Sequence, residues 1–165
     1  MGKRENDSKR GRNGSEAQLK LAVLISGSGT NLQALIDACA EPDYPACISL
    51  VISNKDDAAG LARAEQADIP TQVIRHTDFA ARSAFDQALS EALAAADIDL
   101  ICLAGFMRVL GAPFVDHWQD RLINIHPALL PAFKGLHTHK RALEAGVRIA
   151  GCTVHYVRAD VDVGP

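Results

Sequence analysis

Residues 19–31 read LKLAVLISGSGTN, and this stretch decides the fold class. Its first seven residues form a near-continuous apolar run with the length of a buried strand. A Gly-rich turn follows directly, and residues 31–40 then carry Leu32, Leu35 and Ile36 at helical spacing. A buried strand that passes through a glycine turn into a helix is typical of an α/β protein with a parallel sheet.

The same alternation continues along the rest of the chain. Further strands are predicted at residues 47–53, 71–74, 99–104, 122–125 and 150–157, and further helices at 58–68, 82–96, 114–118 and 138–145. Residues 129–135 carry two helix-breaking residues and are predicted to form a loop. The sequence therefore predicts a three-layer α/β fold, with an open, mostly parallel, twisted sheet and helices on both faces, as in Rossmann-like proteins.

Composition excludes several classes of protein. The 165 residues carry a net charge of −3 and are 48% hydrophobic, which suits a globular domain and gives no electrostatic reason to bind nucleic acid. No apolar run approaches the roughly 18 residues that cross a bilayer, and no secretory signal opens the chain, so we expect a cytoplasmic protein that does not bind membranes. Residues 1–18 are almost entirely polar and are predicted to be a disordered tail, with contact to an anionic partner as the less favoured alternative.

Cysteine and histidine spacing gives little support for a metal site. The four cysteines are scattered without a CxxC pair, so we interpret them as structural thiols rather than as a disulfide or zinc framework. His137 and His139 form a possible ligand pair, but a catalytic zinc normally needs a third protein ligand, and none stands at diagnostic spacing. The sequence predicts no metal.

The Gly-rich turn, Ser26 to Asn31, is suited to bind an anion. Its glycines let backbone amides approach a phosphate, and the following helix contributes its positive end. A dinucleotide fingerprint is the first alternative, although Leu32 replaces its third glycine and no acidic residue ends the second strand. A tight turn with a purely structural role is the second alternative.

Asn124 and His126 are candidate catalytic residues at the end of a short predicted strand. Two residues apart, they share one face of that strand. An amide donor beside an imidazole suits acyl-type transfer, since the amide can stabilise an oxyanion and the imidazole can move a proton. A loop-capping asparagine and a packed core histidine explain the same pattern, so both interpretations stay open on these residues alone. His76, His117 and His155 are interpreted as structural.

Five ordered blocks of sequence carry more information than any single motif. They are LAVLISGSGTNLQALIDA, VISNKDDAAGLARA, LICLAGFMRVL, LINIHPALLPAFKGLHTHKRALEAG and GCTVHYVRADVDVGP. With them the chain resembles the phosphoribosylglycinamide formyltransferases, a family of folate-dependent enzymes. Formyltetrahydrofolate deformylases and methionyl-tRNA formyltransferases share parts of the pattern, but GSGTN and GLHTH favour the first family.

The resemblance implies formyl transfer from 10-formyltetrahydrofolate to the amine of glycinamide ribonucleotide, in purine biosynthesis and without a metal. Asn124 would hold the formyl oxygen, His126 would act as general acid, and Asp162 would stabilise the protonated imidazole. The ribonucleotide phosphate would bind at Gly29, Thr30 and Asn31. Folate would contact Arg82, Met107, Arg108, Val109, Leu110, Asn124, Arg158, Ala159, Asp160, Val161 and Asp162.

The chain also departs from the family pattern. Ala128 stands where serine is common, and the family generally continues beyond Pro165 with a strand and a helix. We therefore expect residues 19–165 to form a formyltransferase domain without those elements, and expect Asp162, close to the end, to be loosely held. A deformylase, or a truncated nucleotide- and folate-binding module without turnover, is the alternative function. The resemblance leaves a homodimer open.

Overall fold

The computed structural model describes residues 17–165. Its strands are β1 (Leu19–Ile25), β2 (Ala46–Ser53), β3 (Thr71–Val73), β4 (Leu100–Leu103), β5 (Leu122–His126) and β6 (Thr153–Tyr156). They form one sheet in the order β3-β2-β1-β4-β5-β6. The four neighbouring pairs among β1 to β5 are parallel, and the edge strand β6 runs antiparallel to β5. The predicted open, mostly parallel sheet is confirmed.

Helices cover both faces of this sheet. They are α1 (Thr30–Cys39), α2 (Ala59–Gln66), α3 (Arg82–Ala95), α4 (Ala112–His117) and α5 (Thr138–Glu144). Along β1, Ala22 and Leu24 belong to a buried cluster with side chains of α3 and α4, whereas Val23 and Ile25 belong to a second cluster with side chains of α1 and α2. Alternate residues of a strand point to opposite faces, so this one apolar run supports two cores. Burying each leucine or isoleucine contributes about 1.5–3 kcal/mol.

Most predicted elements appear with small differences at their ends. Helix α4 begins at Ala112, two residues before the predicted start, because Pro113 fits the first turn of a helix. Strand β6 is shorter than the predicted 150–157, and a 3-10 turn at His76–Asp78 was not predicted. Residues 1–16 of the predicted tail lie outside the described residues, so the tail and the domain limits stay predictions. None of the helices between residues 17 and 165 has both the length and the apolar character needed to cross a bilayer.

Strand order determines where a ligand can bind. The chain moves outward from β1 through β2 to β3, then returns to place β4 on the other side of β1. At such a reversal the loops that follow neighbouring strands separate, and a crevice opens at the carboxyl ends. The loops after β1, β4 and β5 all begin along this edge.

Candidate active site

A cavity of about 860 Å³ opens at the carboxyl ends of β4 and β5. This volume is within the roughly 300–1,000 Å³ of ordinary ligand pockets. Four groups of residues contribute most of its wall: the loop after β4, the end of β5, the start of α5, and the segment after β6. They include Gly105 to Leu110, Asn124 to Pro127, Gly135 to Lys140, and Val157 to Asp162.

His126 lies at the last position of β5 and is only 4% exposed. Its Nδ1 is 3.3 Å from Oδ2 of Asp162, and its Nε2 is 3.0 Å from the carbonyl oxygen of Phe133. Because a carbonyl oxygen only accepts, Nε2 carries a proton. The ring can donate to the carbonyl and the carboxylate together only when both nitrogens are protonated. This geometry suits an imidazole that acts as an acid.

Asp162 is well held, contrary to the expectation that it is loose. Its side chain is 8% exposed, and its Oδ2 accepts a 2.8 Å hydrogen bond from the backbone N–H of Gly135 in addition to facing His126. The backbone of Asp162 is left-handed, with φ of 55°. The Gly135 N–H and the imidazole of His126 therefore fix the position of this carboxylate.

His155 joins this group, although sequence reasoning interpreted it as structural. It lies opposite Asn124 in the antiparallel β5–β6 pair and is 5% exposed. Its Nε2 is 3.4 Å from Nδ2 of Asn124 and 3.6 Å from Oδ1 of Asp162. The alternation in the segment TVHY could indicate that His155 points inward, but it could not indicate which strand pairs with it.

The residues after β4 form an apolar wall of the cavity. Met107 is 64% exposed and Val109 is 60% exposed, whereas Leu110 is buried. Val161 faces the same cavity from the segment after β6 and is also exposed. Exposed apolar side chains around one cavity mark a surface that a flat, weakly polar ligand can cover.

The remaining residues that were predicted to contact folate fall into two groups, one that lines the cavity and one that does not. Arg158, Ala159 and Asp160 line the cavity, and the guanidinium of Arg158 is also paired with Asp120 at 2.6 Å. Arg82 is not among the described residues that line the cavity; it lies at the start of α3. Its contact with folate stays a prediction.

The two histidines of the suggested ligand pair line the cavity as well. His137 precedes α5 with a left-handed φ of 58°, and His139 lies in its first turn. Across residues 17–165, no group of three or more His, Cys, Asp or Glu side chains is placed to hold a metal ion. Cys102 is buried in β4, and this burial raises the pKa of its thiol to about 11, which keeps it protonated and unreactive.

The Gly-rich turn, which includes Gly29, Thr30 and Asn31, does not line the described cavity but contacts its wall where Ser26 meets Met107. The turn is closely packed against α2. Gly29 precedes α1 with φ of +70°, and a Cβ on it would stand 2.6 Å from the Cα of Gly60. The N–H of Gly60 donates to the Gly27 carbonyl at 3.0 Å, and Nε of Arg63 donates to the Ser28 carbonyl at 2.9 Å. The packing of the turn is therefore enough by itself to require glycine at position 29. Arg63 also brings a positive charge to this turn, which was not evident from the sequence.

Replacing Gly29 with alanine is expected to lower the free energy of unfolding by about 2–4 kcal/mol, because the left-handed backbone disfavours a Cβ and the contact with Gly60 overpacks it. Urea denaturation measures this loss. Gly27→Ala is the matched control, since a Cβ there would meet nothing within 4 Å. Equal stability of the two variants would contradict the prediction.

Similar proteins cover nearly all of the described chain. Residues 19–165 match the formyl transferase family model. The trifunctional purine biosynthetic protein adenosine-3 of Gallus gallus is 54% identical over 147 residues, which are 89% of this chain and 15% of that protein. The phosphoribosylglycinamide formyltransferase of Escherichia coli (strain K12) is 47% identical over 147 residues, which are 89% of this chain and 69% of that enzyme.

Solved structures agree with the fold described above. Glycinamide ribonucleotide transformylase 1 from Symbiobacterium toebii is similar with a TM-score of 0.87 at 49% identity, covering 90% of this chain and 70% of that one. The chain thus spans 15% of the length of the trifunctional relative and 69% of the length of the bacterial one.

Proposed function

Because the chain belongs to the formyl transferase family, we propose that it transfers the formyl group of 10-formyltetrahydrofolate to the amine of glycinamide ribonucleotide. One arrangement carries the proposal: Asn124 and His126 at the end of β5, with the buried carboxylate of Asp162 against the imidazole. Relatives that are named phosphoribosylglycinamide formyltransferase support this choice of acceptor.

In the proposed reaction, the neutral amine nitrogen attacks the formyl carbon. A C–N bond forms, and the carbonyl electrons move to oxygen to give a tetrahedral oxyanion. The amine nitrogen then loses a proton and N10 of the folate gains one, after which the bond from the carbon to N10 breaks. The products are the formylated ribonucleotide and tetrahydrofolate, so atoms and charge balance.

Asn124 and His126 are assigned to the oxyanion. The Asn124 amide is a neutral donor, and the N–H at Nε2 of His126 already donates to one oxygen, that of Phe133. We propose that this N–H donates to the oxyanion during the reaction, so that the oxyanion replaces the Phe133 carbonyl as its acceptor. Asp162 is assigned to hold the imidazolium charge. Fixed donors directed at the developing charge often lower the activation barrier more than any other group in an active site.

The substrates are assigned to the two sides of this centre. The pterin of folate is assigned to the apolar wall after β4, with the segment after β6 closing over it. The ribonucleotide phosphate is assigned to Gly29, Thr30 and Asn31, where the ten-residue helix α1 begins and Arg63 lies nearby. Cytoplasmic location and a homodimer stay predictions, and no metal enters the proposed chemistry.

A formyl-transfer assay tests the proposal directly. The purified chain is given 10-formyltetrahydrofolate with and without glycinamide ribonucleotide, and tetrahydrofolate, formylated ribonucleotide and formate are measured. Formation of the formylated ribonucleotide supports the proposal. Formate release without the ribonucleotide would indicate a deformylase instead, and folate binding without turnover would indicate a binding module.

The Asn124→Ala variant tests the oxyanion assignment. Loss of one oxyanion donor typically lowers kcat about 10²–10³-fold, and we expect a decrease of that order. The measurement is kcat at saturating concentrations of both substrates, with thermal unfolding recorded in parallel. Turnover within a few-fold of the wild type, in a folded variant, would contradict this role.

A further inference from the structure

We propose that Ser26, Asn54 and His76 form a hydrogen-bonded relay that positions the backbone of Met107 in the cavity wall. Through Ser26 the relay also connects this wall to the Gly-rich turn, so it couples the two substrate regions. The inference rests on the proposed function for its substrates. It assigns positioning residues, since nothing places these three side chains in contact with the reacting atoms.

Each hydrogen bond of the relay has a defined direction. The N–H of Met107 donates to Oγ of Ser26 at 2.8 Å. The Ser26 hydroxyl donates to Oδ1 of Asn54 at 2.6 Å, and Nδ2 of Asn54 lies 3.2 Å from Nδ1 of His76. Because the Asn54 amide nitrogen can only donate, Nδ1 of His76 accepts. One orientation of each side chain therefore satisfies every hydrogen bond of the relay.

Burial makes this chain of bonds difficult to replace with water. Ser26 is 5% exposed and Asn54 is 2% exposed. A buried polar group that loses its partner keeps the full cost of its removal from water. The relay crosses the sheet edge at the ends of three strands, because Ser26 follows β1, Asn54 follows β2 and His76 follows β3 by three residues.

Aromatic packing links the same two ends by a second route. The His76 ring meets Phe85 edge to face, with centroids 6.3 Å apart. Phe85 in turn stacks on Phe106, with centroids 6.5 Å apart and planes 10° from parallel. Phe106 immediately precedes Met107, so one histidine supports both the side chain at 106 and the backbone at 107.

The far end of the cavity wall has an independent anchor. The N–H of Gly111 donates to Oδ2 of Asp86 at 2.8 Å, and Asp86 is 7% exposed. Residues 107–111 are therefore fixed at both ends, while the side chains of Met107 and Val109 face the cavity. Loss of the Ser26 bond should loosen one end of the wall and leave the other in place.

If the relay positions the cavity wall, breaking it should change the affinity for folate more than it changes kcat. Ser26→Ala loses both hydrogen bonds of the hydroxyl and leaves the Met107 N–H without its partner. The dissociation constant of tetrahydrofolate should therefore rise roughly tenfold. KM for 10-formyltetrahydrofolate should rise similarly, while kcat changes less than threefold (a factor worth about 0.65 kcal/mol). Glycinamide ribonucleotide should also improve tetrahydrofolate binding less in the variant than in the wild type.

Matched variants separate positioning from general destabilisation. Ser53→Ala also removes a fully buried hydroxyl with two hydrogen bonds, both to Lys55 in its own turn. It should leave tetrahydrofolate binding unchanged. His76 is partly exposed, so its variants should fold: His76→Phe keeps the aromatic contact and should weaken binding, while His76→Gln restores an acceptor and should recover it.

The experiment is a titration of each variant with tetrahydrofolate, with hydrogen exchange of the Met107 amide followed in parallel. Faster exchange and weaker binding in Ser26→Ala, with Ser53→Ala unaffected, support the relay. Unchanged binding in Ser26→Ala, or an equal loss in Ser53→Ala, would overturn it. A wild-type chain that does not bind tetrahydrofolate would instead overturn the proposed function, and the relay's role with it.

Discussion

Substituting His126 with alanine is expected to lower kcat about 10²- to 10⁴-fold, the usual effect of removing a positioned acid or base. The imidazole lines the cavity, and its two nitrogens face Asp162 and the Phe133 carbonyl. Both bonds disappear with the ring. The measurement is kcat for formyl transfer to glycinamide ribonucleotide at saturating substrate.

Loss of fold must be separated from loss of chemistry, because His126 is buried. Thermal unfolding shows whether each His126 variant is folded. His117→Ala controls for the loss of a histidine outside the site, since His117 is exposed at the end of α4 and does not line the cavity. His126→Gln supplies a second variant that keeps a side-chain donor for the Phe133 carbonyl. If folded His126→Ala and His126→Gln both turn over within tenfold of the wild type, the acid is another group.

Replacing Asp162 with asparagine is expected to lower kcat by about 10²-fold or more. The substitution keeps the size of the side chain and an oxygen for the Gly135 N–H. It removes the negative charge that faces both His126 and His155. The charge that develops on the imidazole during proton transfer then has no opposite charge beside it, so the transition state is less stabilised. The measurement is kcat for formyl transfer at saturating concentrations of both substrates.

Asp97→Asn provides the control for Asp162→Asn. Asp97 also has a left-handed backbone, with φ of 51°, and also forms an ion pair, at 2.8 Å with Lys20. It is exposed and remote from the cavity, so its variant should keep wild-type kcat. A kcat of Asp162→Asn equal to that of Asp97→Asn would exclude a catalytic role for the carboxylate.

The fold was predictable from the sequence because its strongest signal is local. The apolar run at β1 extends over the predicted residues, and the apolar stripe of α3 starts at the predicted Arg82. A continuous run indicates burial on both faces, and the two cores that meet at β1 agree with it. The direction of β6 was not predictable, because no local pattern states which way an edge strand runs.

The site was predictable only in part, for a related reason. Asn124 and His126 share one short strand, so their common face follows from spacing alone. His155 reaches the same group through strand pairing across 31 positions, and Ser26 reaches Met107 across 81. Gly29 likewise has no room for a Cβ because of Gly60, far away in sequence. Contacts of this kind depend on the assembled sheet.

The left-handed backbone at Phe133, His137 and Asp162 raises the free energy of the folded chain. Each residue has φ between 54° and 58°, a backbone conformation that residues other than glycine adopt rarely. Strain of this kind is typically about 1–3 kcal/mol per residue, against a total stability of about 5–15 kcal/mol for a domain. Relief of this strain would stabilise the chain while displacing the Phe133 carbonyl and the Asp162 carboxylate. Stability and turnover are therefore opposed at this corner of the molecule, and substitutions that improve one should reduce the other.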